Sequence, residues 1–200
     1  MRKPRQISRP VPFDHFGLLA PLYERFIRPP QMENLLRAAD LSHDDRLLDV
    51  GGGTGRVSQL LAPAVHEIWL ADVSVGMLEE AKAKRVGLIP CVCRAEALPF
   101  PCDAFTKVIA VDSFHHFRTY QAAASELLRV AAPGGRIVVE EPDIRRLGVK
   151  LVALGETLAL MRSRFHRPDG IVRLFRSVSC DVAVSVIEEG HTFWVVVDKL

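Results

Sequence analysis

A chain of 200 residues, 48% hydrophobic and 25% charged, is enough for one domain with a real core. Its formal net charge of +2 gives no bulk argument for nucleic acid, and no such partner is expected. No uninterrupted apolar run could cross a bilayer, and Pro10, Pro12, Asp14 and His15 break up the region a signal peptide would need, so the expected location is cytoplasmic.

Residues 1–12 carry Arg2, Lys3, Arg5 and Arg9 among prolines, with little to bury, and read as a flexible basic arm. Phe13, Phe16, Leu19, Tyr23, Phe26 and Ile27 follow, split by Pro21 into two short helical pieces and ended by Pro29-Pro30. Met32, Leu35, Leu36 and Ala39 recur at helical spacing, which predicts an amphipathic helix over 31–40. The stretch that organises the rest comes next. Leu47, Leu48 and Val50 read as a buried strand, broken by Gly51, Gly52 and Gly53, and a helical pattern follows over 55–62, ending before Pro63. Strand, glycine turn and helix open a nucleotide-binding α/β unit.

Further strands are predicted at 67–72, 88–93, 107–112 and 136–141, with helices at 75–85 and 120–130 and a turn at Pro133-Gly134-Gly135. The alternation argues for a parallel sheet covered on both faces. Helical patterns follow at 147–161 and 169–176. The strands predicted at 182–187 and 192–197 are joined through Glu188-Glu189-Gly190, so short a link that they must form an antiparallel hairpin. With no sign of secretion, Cys91, Cys93, Cys102 and Cys180 are expected to be free thiols. Cys91 and Cys93 share one face of their strand. They lack a third ligand at finger spacing, so core packing is expected and no metal. The run Arg162, Arg164, His166, Arg167, Arg173 and Arg176 has no interleaved aromatics and reads as a solvated face.

A dinucleotide fingerprint would want a third glycine where this chain has Arg56; the spacing is instead Gly51-x-Gly53-x-Gly55, directly after Asp49. Asp72, about twenty residues on, ends the second strand. With Arg94-Ala95-Glu96-Ala97-Leu98-Pro99-Phe100, Glu126-Leu127-Leu128-Arg129-Val130 and Pro133-Gly134-Gly135 in order, the chain resembles class I S-adenosylmethionine-dependent methyltransferases from about residue 13 to 200. The branch it looks most like is that of the ubiquinone and menaquinone C-methyltransferases, also described as methyltransferase type 11. The resemblance implies a Rossmann-like, seven-stranded, mostly parallel α/β sheet with helices on both faces and a C-terminal antiparallel hairpin. It implies one domain over 13–200: a helical lid at 13–40, a cofactor core at 45–142, then helices and hairpin at 143–200.

It also implies S-adenosyl-L-methionine as cofactor and S-adenosyl-L-homocysteine as product. Asp49, Gly51, Gly52, Gly53 and Gly55 would hold the methionine end and Asp72 the ribose. Ala95, Glu96 and Ala97 would rim the adenine, with Val73, Met77 and Val111 completing the wall. Three departures stand out: Arg94, Thr106 and Asp112 occupy positions where relatives often carry other residue types.

Methyl transfer from a sulfonium is an in-line displacement, so the protein mainly aligns the reactants and excludes water. Asp112, His115 and His116 follow the fourth strand at the carboxyl edge, where such folds bind ligands, and are the candidates for proton handling. A plainer reading has His116 packing and His115 facing solvent. Tyr23 is the aromatic candidate to close over the donor. Glu140 and Glu141 are read as a solvated sheet edge. The Phe, Leu and Met of the lid segments suggest a small, partly apolar acceptor, such as a quinol-like molecule or lipid precursor. A homodimer stays open. Two other readings are a non-enzymatic module that keeps the cofactor pocket and an NAD(P)-dependent oxidoreductase.

Overall fold

A computed structural model describes residues 32–145 and 166–200. The elements in chain order are α1 (Met32–Ala39), β1 (Arg46–Val50), α2 (Ser58–Leu61), β2 (Glu67–Asp72), α3 (Val75–Ala83), β3 (Ile89–Val92), β4 (Phe105–Val111), α4 (Tyr120–Val130), β5 (Ala131–Pro142), α5 (Pro168–Val178), β6 (Val182–Glu189) and β7 (Thr192–Lys199). The predicted segments 13–30 and 147–161, with Tyr23, lie outside the described residues.

The strands form one seven-stranded sheet in the order β3-β2-β1-β4-β5-β7-β6. Every pairing from β3 to β5 is parallel, while β7 runs antiparallel to both β5 and β6. β2 and β4 flank β1, so the chain reverses its direction of travel across the sheet at β1/β4. Their carboxyl ends leave a crevice there, the place where open α/β sheets bind ligands.

Strand alternation divides the core into two layers. Leu48, Val50, Val108, Ala110, Ile137 and Val139 face one layer, closed by Ala123, Leu127, Ile171 and Phe175 of α4 and α5. Leu47, Ile109, Val138, Trp194 and Val196 face the other, under Leu35, Ala38 and Ala39 of α1 and Leu61 of α2. Both faces are thus covered, which is why the parallel strands read as continuous apolar runs.

Three boundaries differ from the sequence reading. The first helix after the glycines is a single turn, and Pro63 sits inside a 3-10 turn at Ala62–Ala64 rather than beyond the helix. A proline in the first turn of a helix loses no hydrogen bond, so it does not force a stop there. Pro133-Gly134-Gly135 lies within β5, where the register to β4 shifts between Phe105 and Lys107 and the extra residues loop out of the ladder. A Cβ at Gly135 would stand 2.7 Å from the Ala132 carbonyl oxygen. The same strand runs on through Pro142, whose neighbour is the antiparallel β7.

Candidate functional site

β1 ends at Val50 and the backbone turns sharply. The Gly51 N–H donates to the Ala71 carbonyl at 2.7 Å, and the Gly55 N–H closes the turn onto the Gly52 carbonyl at 2.9 Å. Gly51 and Gly53 adopt φ of +75° and +55°, where a side chain would be strained. At Gly51 space forbids one as well: a Cβ would stand 2.6 Å from that of Ser113. Around Gly53 the nearest obstacle is Met77 Sδ at 3.9 Å, so its backbone opens onto free space.

That space is a cleft of about 170 Å³ at the carboxyl edge. One wall carries Asp72, Val73, Met77, Cys93, Ala95 and Glu96; the other carries Asp112, Ser113, His116 and Phe117. Asp72 ties the site together, because Oδ2 accepts from the Gly53 N–H at 2.9 Å and Oδ1 from the Ser74 N–H at 2.8 Å. Ser74 in turn caps α3, its Oγ accepting from the Met77 N–H. Across the cleft, Glu96 Oε1 accepts from the Arg118 N–H at 2.7 Å and the Thr119 N–H at 3.2 Å. This fixes the loop after β4 against the loop after β3.

A smaller hollow on the far side of the turn is lined by Asp49, Gly52, Thr54, Arg56, Val111 and Asp112. Asp49 is fully buried. Ser58 Oγ donates to its Oδ2 at 2.6 Å, while Oδ1 has no hydrogen-bond partner among the described residues. Burial first, with the nearby Asp72 charge, raises its pKa to about 7 against the lowering effect of Ser58. Asp112 stands in the left-handed region at φ +52° and borders both spaces, a strained position for a non-glycine residue.

The two glutamates ending β5 are not solvated, which corrects the sequence reading. Glu140 points to the α1 layer, where the Trp194 indole N–H donates to its Oε2 at 2.7 Å. Burial chiefly, with Asp112 nearby, pushes it to about 7. Glu141 points to the opposite layer and accepts from His115 Nδ1 at 2.8 Å. His115 does not face solvent as the plainer reading has it. His115 is buried, and its ring stands 4.0 Å from that of His116, which borders the cleft. Burial, then the His115 charge, depresses the His116 pKa to about 3.

Of the residues singled out in the sequence, Gly51, Gly53, Asp72, Val73, Met77, Ala95, Glu96, Asp112 and His116 border the cleft, and Asp49, Gly52 and Val111 border the adjoining hollow. Gly55 lies instead against Leu88, Ala81 and Leu70, permitting close packing of turn on sheet. Ala97 does not reach the cleft, and its N–H donates to the Arg94 carbonyl. Ala71, Arg118, Cys93, Ser113 and Phe117 also border the cleft and were missed. Nothing local marks the last two, because their place depends on the loop after β4 folding back over Gly51. Ser113 Oγ donates to the Val50 carbonyl at 2.9 Å to hold it there.

A seven-stranded sheet of this order, with β7 antiparallel, a glycine turn after β1 and an acid ending β2, is the Rossmann-like sheet that the sequence resemblance implied. Residues 48–139 match the family described as a methyltransferase domain. The chain is 42% identical over 115 residues to a demethylmenaquinone methyltransferase of Thermus thermophilus, covering 52% of each. It is 32% identical over 103 residues to a ubiquinone/menaquinone biosynthesis C-methyltransferase of Cupriavidus necator, covering 48% of this chain and 42% of that one. The chain therefore spans about half the length of the curated relatives it matches. Among solved structures, an S-adenosylmethionine-dependent methyltransferase from Thermotoga maritima aligns with a TM-score of 0.78 at 19% identity, covering 92% of this chain and 98% of that one. Another from Aquifex aeolicus gives 0.70 at 18%, covering 94% and 100%. The structural likeness speaks for the fold alone. Taken with the sequence matches, the chain is similar over its central residues to S-adenosylmethionine-dependent methyltransferases of the ubiquinone/menaquinone C-methyltransferase-like branch. The sequence match to the family covers 48–139, a shorter span than the motifs suggested.

The family's cofactor is S-adenosylmethionine, and the site suits it. Among the described residues, no side chain fills the crevice over the turn. Asp49 Oδ1 is a buried acceptor next to the turn with no donor among the described residues. The walls supply apolar surface at Val73, Met77, Ala95 and Phe117, as a nucleoside ring requires.

Proposed function

We propose that this chain transfers a methyl group from S-adenosylmethionine to a small, partly apolar acceptor of the quinol type. The observation that carries the reading is one cleft with two kinds of wall. The glycine turn, Asp72 and Met77 suit the donor, and Asp112, His116 and Phe117 suit an acceptor. The relatives' names, which specify menaquinone and ubiquinone precursors, favour the quinol over a lipid precursor.

When bound, S-adenosylmethionine supplies a sulfonium-activated methyl. The protein's part is then alignment and exclusion of water. Asp49 Oδ1 takes the ammonium of the amino-acid end and Asp72 the ribose hydroxyls, while Ala95 and Glu96 border the adenine. Phe117 gives the acceptor ring an apolar face. His116 stays neutral across the working range, so it accepts a hydrogen bond from an acceptor hydroxyl without holding a proton. Asp112 is the carboxyl group on that wall and the better candidate to take the proton that a quinol loses as its ring carbon attacks. His115 acts one step back, holding the loop through Glu141. Tyr23 and the 13–40 segment would cover the cleft as a lid, and residues 1–12 would remain an arm outside the 13–200 domain.

The test is calorimetric titration with S-adenosylhomocysteine and with NADH, followed by transfer of labelled methyl to demethylated quinols. Homocysteine-product binding and quinol labelling are expected. Tighter binding of NADH would replace the reading with an oxidoreductase. Cofactor binding without transfer to any quinol or lipid precursor would favour a non-enzymatic module.

A further inference from the structure

The segments 94–100 and 126–130, both singled out in the sequence, meet along α4. Near the end of that helix Arg129 and Glu126 form a bidentate pair at 2.6 and 2.8 Å. Glu126 Oε2 accepts from the Leu98 N–H at 2.7 Å, and the Arg129 guanidinium donates to the Leu98 and Phe100 carbonyls at 2.9 and 2.8 Å. At the start of the helix Glu96 Oε1 accepts from the Arg118 and Thr119 N–H groups. The loop after β3 is thus fastened to both ends of α4. We propose that Glu96 is a positioning residue for the methyl acceptor, acting by holding the loop that carries His116 and Phe117 rather than by bonding to the adenine.

The helix takes this acceptor from outside because it has none of its own. Its N-cap, Thr119, makes no side-chain capping bond, and its first turn carries no acid. In a capping box a Glu or Gln at the third helical position accepts from the N-cap N–H. That position is Ala122 here, and Glu96 supplies the carboxylate from 23 residues before Thr119. A negative group at this end also lies at the favourable pole of the helix dipole.

The loop between β4 and α4 is therefore held from two sides. Its start is fixed by the Asp112 N–H on the Glu140 carbonyl at 3.0 Å and by Ser113 Oγ on the Val50 carbonyl. Its end is fixed by Glu96. His116 and Phe117 immediately precede that second anchor, and both border the cleft. On the other side a turn closed by the Ala97 N–H on the Arg94 carbonyl at 3.1 Å sets Ala95 on the cleft and leaves the Glu96 carboxylate for α4. Without that carboxylate the second anchor is lost, while the first anchor and the Arg129 clamp remain. His116 and Phe117 then lose their position, and Ala95 and Asp72 keep theirs.

The acceptor role rests on the methyltransferase reading; the anchoring of the loop does not. The experiment uses the full chain with Glu96→Ala and with Glu96→Gln, which keeps an acceptor oxygen. Calorimetry gives the affinity for S-adenosylhomocysteine, and methyl transfer to a short-chain demethylated menaquinol gives KM and kcat. Hydrogen exchange reads the backbone amides of residues 116–119. Glu96→Ala should raise the quinol KM roughly tenfold, as the loss of bonds to a charged acceptor implies, and leave S-adenosylhomocysteine affinity within about twofold. The amides of 116–119 should exchange roughly tenfold faster. Glu96→Gln should recover most of both effects. A loss of S-adenosylhomocysteine affinity with an unchanged KM would make Glu96 an adenine contact and overturn the proposal. Equal losses in both, no loss in either, or a glutamine variant no better than the alanine one would also overturn it. Should the wild-type chain methylate no quinol, the acceptor reading fails and the exchange rates still decide the anchor, which unchanged rates in Glu96→Ala would refute.

Discussion

His115 Nδ1 and Glu141 Oε2 meet at 2.8 Å with side chains 2% and 0% exposed, on the α4 side of the sheet. The second oxygen of Glu141 accepts from the His115 backbone N–H at 3.3 Å. Tyr120 adds a bond from its hydroxyl to the His115 carbonyl. One buried carboxylate thus holds both ring and backbone of a residue next to His116 at the cleft. Removing one member of a buried pair strands the other. Glu141→Ala should therefore cost about 3 kcal/mol of unfolding free energy, and Glu141→Gln, which keeps an acceptor, clearly less. Urea denaturation of both variants decides it. Equal losses would mean that the pair depends on the carboxylate charge rather than on an acceptor oxygen or packing volume.

Asp49 makes stability depend on pH in a direction opposite to most carboxylates. Its pKa rises from 3.8 unfolded to about 7 folded, mainly by burial. Between those values the folded chain binds a proton that the unfolded chain releases. The contribution is therefore fully present below about pH 4 and lost as pH rises through 7. Asp49→Asn should raise the melting temperature of the ligand-free protein at pH 8 and change it little at pH 4. The same substitution should weaken S-adenosylhomocysteine, since a neutral amide cannot pair with its ammonium. A variant less stable than wild type at pH 8 would show that Asp49 is ionised at no cost in the folded chain.

The legible parts of this protein are those in which sequence neighbours are also spatial neighbours. β2 and α4 match their predicted bounds because apolar spacing marks both, with Asp72 ending β2 and Thr119 and Pro133 flanking α4. The turn at Gly51 declares itself because three glycines serve no other purpose between a strand and a helix. Glu140 and Glu141 were misread because a charged pair ending a strand looks solvated until its partners are known. Those partners, Trp194 and His115, lie 54 and 26 residues away. His115 was misread for a related reason: nothing in Phe-His-His indicates that the 3-10 turn at Phe114–His116 buries it against Glu141. Cys93 shows the remaining limit. Alternation places it on a face, but only the fold shows that this face ends at the cleft.

Two glycines with similar backbone angles should respond differently to alanine. Gly51 and Gly134 have φ of +75° and +72°. At Gly134 a Cβ would meet nothing within 4 Å, whereas at Gly51 it would collide with Ser113. Gly134→Ala should cost only the left-handed penalty, about 1–2 kcal/mol. Gly51→Ala should cost more and should also weaken S-adenosylhomocysteine, because the loop carrying Ser113 and His116 must move. Unfolding and binding measured on both variants separate strain from collision. Equal costs would show that the Ser113 loop yields freely.

Asp72 carries a double load, and the two can be told apart. Its carboxylate accepts from Gly53 and Ser74 and also faces the cleft. Asp72→Ala removes everything at once, and its binding loss alone would be ambiguous. Asp72→Asn keeps one oxygen acceptor but presents an N–H₂ to the other backbone donor. Asp72→Glu keeps the charge and displaces it by one methylene. If the carboxylate both shapes the turn and binds the ribose hydroxyls, Asp72→Ala should lose S-adenosylhomocysteine affinity by roughly a hundredfold, equivalent to about 2.7 kcal/mol. Asp72→Asn should fall between it and wild type. The decisive comparison uses adenosine and its 2′,3′-dideoxy analogue. Wild type should prefer adenosine, and Asp72→Ala should bind the two alike. A preference that survives in Asp72→Ala would assign the hydroxyls to another group and leave Asp72 as a clamp on the glycine turn.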